Sequence, residues 1–459
     1  MKVLLSITNV NGFHEIPFSF GLNSIASYAA SRGHLVKILA VRNENEFILF
    51  DRTLHDFNPD VVGFTAVSSQ FGCVKQLAKR VKDLKENIMV VCGGIHATLF
   101  PQAIEESESI DAMFVGESEI AFGEFLDALQ ENRDYHGISN LAYRKDDQVV
   151  INQLNPLITN LESLPFPVLD DLFADYINHN GWAPFFFSRG CPFVCTYCCN
   201  DAYAKLYGMA RNRPRYRSAE SCIEEIKIAE EKYEFEKIWI VDNIFGVDPK
   251  WRNSFCNLYK KEIRKPFFCN LQVNVINEEY VRDVKDAGCF RVSMSIESGN
   301  EYIRNTIMKR NMSAENILAA YRLCKKFGLE TQSINIIGLP HETEEMIWDT
   351  INLNRQVNPT LSGVNIFYPY KGTYLGDYCF KNNMVDETMY NEFSMERRDS
   401  VLLFPQNYKN RLCYYQQNWE KLVYPNDYRR RIVSLIKKNK ALYNGLKSIR
   451  DHASKIRGK

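Results

Sequence analysis

At 459 residues the chain has length for about three domains, and 45% hydrophobic with 24% charged residues is the balance of a water-soluble globular protein with no membrane-spanning run. Lys+Arg and Asp+Glu both total 56, so no net field steers the molecule toward nucleic acid. The opening MKVLLSITNVNGF reads as a first strand, not a signal peptide, which predicts a cytoplasmic protein whose thirteen cysteines are thiols or metal ligands and not disulfides.

Short β-branched runs at 2–7, 36–40, 61–65, 89–92 and 112–115 alternate with helical stripes such as Val74, Leu77, Ala78 and Val81. This is the pattern of a doubly wound, Rossmann- or flavodoxin-like α/β domain, placed at 1–140. In such a sheet the loops after the strands bind ligands; here they read TAVSSQF, GGIHAT and GESE. Residues 141–180 read as a hairpin and a proline-punctuated connector. Strand and helix alternation resumes over 181–375, with strands at 185–188, 237–241, 268–273, 291–296, 331–337 and 363–367. Six strands imply a partial (β/α)6 barrel of the TIM type. Helices in it carry stripes such as Ile317, Ala320, Tyr321 and Cys324 after the cap residue Ser313. Gln272 and Asn274 fall on one face of the third strand and are expected to point inward. Residues 376–459 form a helical extension whose aromatic-rich part is expected to cover the open end of the barrel. From Tyr428 to Lys459 it holds 11 Lys/Arg and one acid, Asp451; this tail reads as a solvated helix, or as a contact for a membrane surface or an acidic partner.

Chemistry concentrates in SRGCPFVCTYCCN, residues 188–200. Cys191, Cys195 and Cys198 form C-x3-C-x2-C directly after a predicted strand. Structural zinc needs four closed ligands, whereas three clustered thiolates can hold a four-iron, four-sulfur cluster with one iron open. Arg189 offers a positive charge to that assembly, and Cys199 is left as packing or as a neighbour of the ligands. The motif, with Tyr197 before its last cysteine, resembles the signature of the radical S-adenosylmethionine superfamily. That resemblance implies a 4Fe-4S cluster whose open iron is chelated by S-adenosylmethionine, and cleavage to a 5′-deoxyadenosyl radical that removes hydrogen from substrate.

The resemblance extends over 181–375. IWIVDNIF looks like the family's second strand, which implies that Asp242 and Asn243 approach the methionine part. SMSIESGN resembles the fourth-strand segment, which places Ser295, Glu297 and Ser298 near ribose and methionine. INIIGLPHET resembles the fifth-strand GLPGET element, with Gly338 toward the cofactor and His341 in place of glycine. FYPYKGTYL resembles the sixth-strand PYPGT element, with Lys371 in place of proline.

The first domain in turn resembles the cobalamin-binding domain that precedes the barrel in one large subgroup. Thr65, Ser68, Ser69, Gly93, Gly94, His96, Gly116 and Glu117 are then the residues beside the corrin and its nucleotide tail. The cobalt-ligating D-x-H-x-x-G pattern is absent around His14, so cobalt without a protein histidine is expected. Together the modules imply a cobalamin-dependent radical methyltransferase acting on an unactivated carbon or phosphorus of a bulky, small-molecule or lipid-like metabolite, with a flavodoxin-type electron donor. Oxidative cyclisation or rearrangement by the same modules is the alternative. A methylthiotransferase needs three cysteines in the first domain, which has only Cys73 and Cys92. A non-enzymatic iron-sulfur or cobalamin sensor would have no use for the barrel's strand ends.

Overall fold

A computed structural model describes residues 1–10, 12, 17–146, 148–391 and 396–427. His14 and the basic tail from Tyr428 to Lys459 lie outside the described residues. Seven strands form the first sheet: β1 (Lys2–Thr8), β2 (Leu35–Val41), β3 (Val61–Thr65), β4 (Met89–Gly93), β5 (Ala112–Phe114), β6 (Leu141–Lys145) and β7 (Gln148–Ile151). Their order is β2-β1-β3-β4-β5-β6-β7, parallel as far as β5 and antiparallel beyond it. The parallel part has flavodoxin-like order, with its switch point between β1 and β3. Both faces bury apolar side chains, which is why β3 reads as an unbroken run. In the helix Phe71–Leu84 the stripe Phe71, Val74, Leu77, Ala78 and Val81 is fully covered, at about 1.5–3 kcal/mol for each large side chain.

The hairpin expected in the connector belongs instead to this sheet. Ala112 pairs with Tyr143 and Phe114 with Leu141, which satisfies the peptide groups on the outer edge of β5. The sheet therefore ends at Ile151, not at 140. The connector proper is strapped to the helix Phe20–Ser31, where Asn23 Nδ2 donates to Val168 O (2.6 Å) and Ser27 Oγ to Phe166 O (2.5 Å).

The second sheet comprises β8 (Ala183–Phe185), β11 (Ile238–Ile240), β12 (Phe267–Leu271), β13 (Cys289–Glu297), β14 (Glu330–Ile337) and β15 (Leu361–Ile366), all parallel in the order β15-β14-β13-β12-β11-β8. It is the expected open six-stranded barrel. The stripe Ile317, Ala320, Tyr321 and Cys324 is buried as read, and Ser313 accepts from Asn316 N to cap that helix. Between β8 and β11 a ribbon of β9 (Ser188–Cys191) and β10 (Asn212–Tyr216) stands apart. The single strand read at 185–188 is thus two, one in the barrel and one leading into the cysteine loop. The extension helix Gln406–Val423 packs on β15, with Trp419 Nε1 donating to Ser362 Oγ (2.8 Å). It covers the flank of the sheet; Tyr368, Leu375, Tyr390, Val401 and Leu402 form the apolar group at its end. No helix among the described residues is long and apolar enough to cross a membrane.

Candidate active site

The cysteine loop is fixed on three sides. Thr196 Oγ1 donates to Ile307 O (2.6 Å) and Thr196 N to Met308 O (3.2 Å), while Leu375 N donates to Thr196 O (2.9 Å). Gly190, at φ +110°, turns the ribbon into the loop, and Cys198 ends it as the residue before the helix Cys199–Leu206. Burial, with smaller pushes from Cys198 and Cys195, raises the Cys191 thiol to about 12; burial also raises Cys195. Thiols so close and so dry ionise when a bound cationic centre compensates them. Among the described residues no three His, Cys, Asp or Glu side chains converge on one metal-ion position. Cys191, Cys195 and Cys198, three thiols that feel one another's charge on one loop, are the donor set with which a four-iron, four-sulfur cluster is held, one thiolate to each of three irons.

The charge beside the loop comes from Arg310, not Arg189. Arg310 Nη1 lies 3.5 Å from Cys195 Sγ and 3.4 Å from the Tyr197 hydroxyl, and Nη2 donates to Ser295 O at 2.9 Å. Burial works against this guanidinium, but Tyr197, Cys195 and Glu297 outweigh it and hold it charged. Arg189 turns the other way and donates from Nη2 to Glu119 Oε1 (2.6 Å), a buried acid that also accepts from Ser24. Sequence reasoning missed Arg310, because MKRNM reads as a surface turn. The fully buried Arg304 explains its placement: Nη1 donates to the carbonyls of Ser298 and Gly299 and Nε to Met312 O, so the chain folds back to the cysteine loop.

At the end of β13, Tyr197 donates to Glu297 Oε1 (2.8 Å). Glu297 holds φ at +65°, a strained state for a residue with a side chain, and its Oε2 is buried with no partner. Burial raises its pKa against the pull of Arg310, Tyr197 and Ser295. An orphaned buried acceptor here is what a ligand hydroxyl or ammonium would satisfy. Ser298 is different: its hydroxyl accepts from Asn300 N (3.2 Å) and sits 3.5 Å from Thr350 Oγ1, so it closes a turn.

Asp242 does not offer its charge to a ligand. Oδ1 accepts from Phe187 N (2.7 Å) and Oδ2 from Ser188 Oγ (2.5 Å), so the fully buried carboxyl, raised to about 6 by burial, anchors the step from β8 to β9. Asn243 is exposed and reaches Asn200 Oδ1 (3.3 Å). Gln272 and Asn274 lie beyond β12 in a 3-10 turn, where Gln272 Oε1 accepts from Asn274 N (2.6 Å). Gly338 takes φ +77° and its amide donates to Glu342 Oε2 (2.6 Å). His341 adopts φ +68°, a conformation glycine takes freely.

Two cavities meet the expected residues of the first domain. One of about 240 Å³ is walled by Leu5, Gly63, Thr65, Gly93, Gly94, Gly116 and Glu117 at the strand ends, by the connector, and by Phe187 and Arg189 of the second domain. A Cβ on Gly94 would lie 2.6 Å from Thr65 Oγ1, and one on Gly116 2.1 Å from the Tyr207 hydroxyl. These two glycines are demanded by the chain's own packing and positive φ, while Gly93 leaves ordinary space. Glu117 is committed to Arg215, at 2.6 and 3.0 Å. The other cavity, about 280 Å³, brings Val67, Ser68, Ile95 and Leu99 of the first domain against Tyr197, Cys198, Cys199 and the segment Phe367–Lys371. Ser69 closes one side through Glu396, which also accepts from Tyr370. His96 Nδ1 pairs with Ser68 Oγ (3.1 Å) and its ring packs on Phe71 at 4.4 Å; burial pulls it down to about 4, and its Nε2 has no partner.

Two family models match the chain: the B12 binding domain over residues 9–126 and the Radical SAM superfamily over 185–353. The chain is 33% identical over 398 residues to an uncharacterized methyltransferase of Pyrococcus horikoshii, covering 84% of each. It is 24% identical to the anaerobic magnesium-protoporphyrin IX monomethyl ester cyclase of Rubrivivax gelatinosus, over 75% of this chain and 63% of that one. Among solved structures its fold matches the radical S-adenosylmethionine methyltransferase TsrM of Kitasatospora setae with cobalamin and a [4Fe-4S] cluster bound, at a TM-score of 0.68, 17% identity, and coverage of 83% and 75%.

Proposed function

This chain belongs to the cobalamin-dependent radical S-adenosylmethionine enzymes, whose cofactors are a 4Fe-4S cluster, S-adenosylmethionine and cobalamin, and we propose that it places a methyl group on an unactivated carbon or phosphorus centre of a metabolite. The observation that carries this reading is the cavity shared by Ser68, Ile95 and Leu99 of the cobalamin-type domain and by Tyr197, Cys198 and Cys199 of the cysteine loop. A substrate there touches both modules. Cys191, Cys195 and Cys198 would hold the cluster, with Arg310 offsetting its negative charge. Glu297 Oε2 would accept from S-adenosylmethionine, with Ser295 on the same strand and Gly338 just past the end of the neighbouring one. The strand-end cavity walled by Thr65, Gly93, Gly94 and Gly116 has the place of a nucleotide tail at a switch point, while Ser68 lines the shared cavity, with His96 bonded to it and Ser69 bonded to Glu396 of the same wall.

When bound, these groups supply a hydrogen-abstracting radical and a methyl carrier. The protein's own share is to exclude water with apolar walls, to orient the ligands through Glu297 and Tyr197, and to keep the cluster's charge compensated through Arg310. A flavodoxin-type donor would provide the electron. The similarity to a cyclase keeps ring closure as a second reading.

The test is anaerobic reconstitution with iron, sulfide and hydroxocobalamin, then metal counting and product analysis. The reading expects about four irons and one cobalt per chain, and S-adenosylhomocysteine together with 5′-deoxyadenosine once substrate is supplied. Deoxyadenosine without S-adenosylhomocysteine would favour the cyclase reading, and failure to bind cobalt would overturn both.

A further inference from the structure

Lys371 stands in the cavity shared by the two modules. Its backbone is fixed: a Cβ on Gly372, at φ +83°, would lie 2.4 Å from Leu99 O, so the turn is pressed against the first domain. Gly372 N also donates to Asp377 Oδ1 at 2.7 Å. The lysine nitrogen lies 4.6 Å from the ring centre of Phe100, 5.3 Å from Phe380 and 5.6 Å from Tyr390. None of the three rings is among the residues that line the cavity, and together they hold the cation in place beside it.

Among the described residues no carboxylate pairs with Lys371. The acids nearby are committed elsewhere: Glu106 to Lys75 (2.9 Å), Asp377 to the Gly372 amide, and Glu396 to Ser69, Tyr370 and Arg397. Among the described residues the cavity wall therefore carries two cations, Lys371 and Arg397, against one carboxylate, Glu396. Apart from Ser68, Asn365 and the thiols of Cys198 and Cys199, the remaining lining is apolar or aromatic, including Ile95, Leu99, Ile336, Phe367 and Tyr368.

We infer that Lys371 is the anion-binding group of the substrate chamber, and that the substrate carries a carboxylate or phosphoryl group on an apolar, ring-like body. This deepens the proposed function and rests on it for the word substrate. A preorganised ammonium on a low-dielectric wall discriminates a charged oxygen group from its neutral isostere, because that contact is charge-assisted. The corrin's amide side chains are neutral and would gain no such preference; the phosphodiester of the nucleotide tail is an anion, and the cobalt count in the test separates it from a substrate.

The probes are phenylacetate and its neutral isostere phenylacetamide, titrated calorimetrically into the reconstituted full chain as wild type, Lys371→Met and Lys371→Arg. Iron and cobalt are counted on the same samples. The expected result is about tenfold tighter binding of the anion to wild type and to K371R, with the preference abolished in K371M and metal content equal in all three. Equal affinity for both probes in wild type, or a preference that survives K371M, overturns the site. Loss of cobalt in K371M without any anion preference in wild type also overturns it, and makes Lys371 a cobalamin contact. A chain that shows the Lys371-dependent preference yet never takes up cobalt supports the anion site and overturns the cofactor reading instead.

Discussion

The Tyr197 hydroxyl donates to one oxygen of Glu297 while the other oxygen stays buried and unpaired. Glu297→Gln preserves the Tyr197 contact and puts an N–H where the free acceptor stood. S-adenosylmethionine affinity should fall about 10- to 100-fold, with iron content unchanged. Tyr197→Phe should cost less, about fivefold. Equilibrium dialysis on reconstituted protein measures both, and unchanged affinity in E297Q would remove Glu297 from the cofactor site.

Cys199 lies next to a ligand candidate, and its thiol shares a proton with that of Cys198, which holds it below its ordinary range. Its place at the start of a helix, lining the shared cavity, makes it a wall and not a fourth ligand. Cys199→Ala should therefore keep about four irons, whereas alanine at 191, 195 or 198 should lose them. Iron, sulfide and electron paramagnetic resonance assays decide; a C199A protein without a cluster would refute this assignment.

Arg310 stabilises the extra electron of a reduced cluster by charge and by its contact with Cys195 Sγ. Arg310→Met should lower the midpoint potential by on the order of 60 mV, which is tenfold in a one-electron equilibrium. A redox titration reads this directly. A potential within experimental error of wild type would mean that solvent, not Arg310, compensates the cluster.

Most of the fold was legible because strand and helix periods are local signals, and the cysteine loop because three thiols at fixed spacing have few other uses. Misreadings came where a side chain's partner is distant in sequence. Asp242 looks like a ligand-facing acid until Phe187 and Ser188 are seen to saturate it. Arg310 takes the duty expected of Arg189 for the same reason: 115 residues part it from Cys195, and only the turn held by Arg304 brings the pair together. The first-domain hairpin was visible as a hairpin, but its sheet was not, since an edge strand's partner leaves no periodic mark.

Glu342 accepts from Gly338 N and Leu339 N through Oε2 and leaves Oε1 without a partner, and burial pushes its pKa up to about 8. The folded state thus keeps a proton that the unfolded chain releases near 4.5. Between those values the unfolded state binds fewer protons, so stability falls as pH rises, and the loss levels off above about 8. The span is about 5 kcal/mol. Glu342→Gln should flatten the Tm profile between pH 5 and 9, taking about those limits as the window; a wild-type Tm that is already flat would contradict the buried, protonated acid.

Arg189 and Glu119 bind the two domains together across the wall of the strand-end cavity. Glu119 is only 4% exposed, and the Arg189 charge holds its carboxyl below the ordinary range although burial pushes the other way. Arg189→Met would strand a buried carboxylate, a loss of about 3–5 kcal/mol, and should speed cobalamin release by opening the cavity. Adding Glu119→Gln removes the stranded charge, so the double variant should regain most of the Tm while cobalamin still leaves quickly. If cobalamin retention recovers in step with Tm, the pair acts on the ligand only through global stability; if it does not, the guanidinium itself shapes the cavity wall.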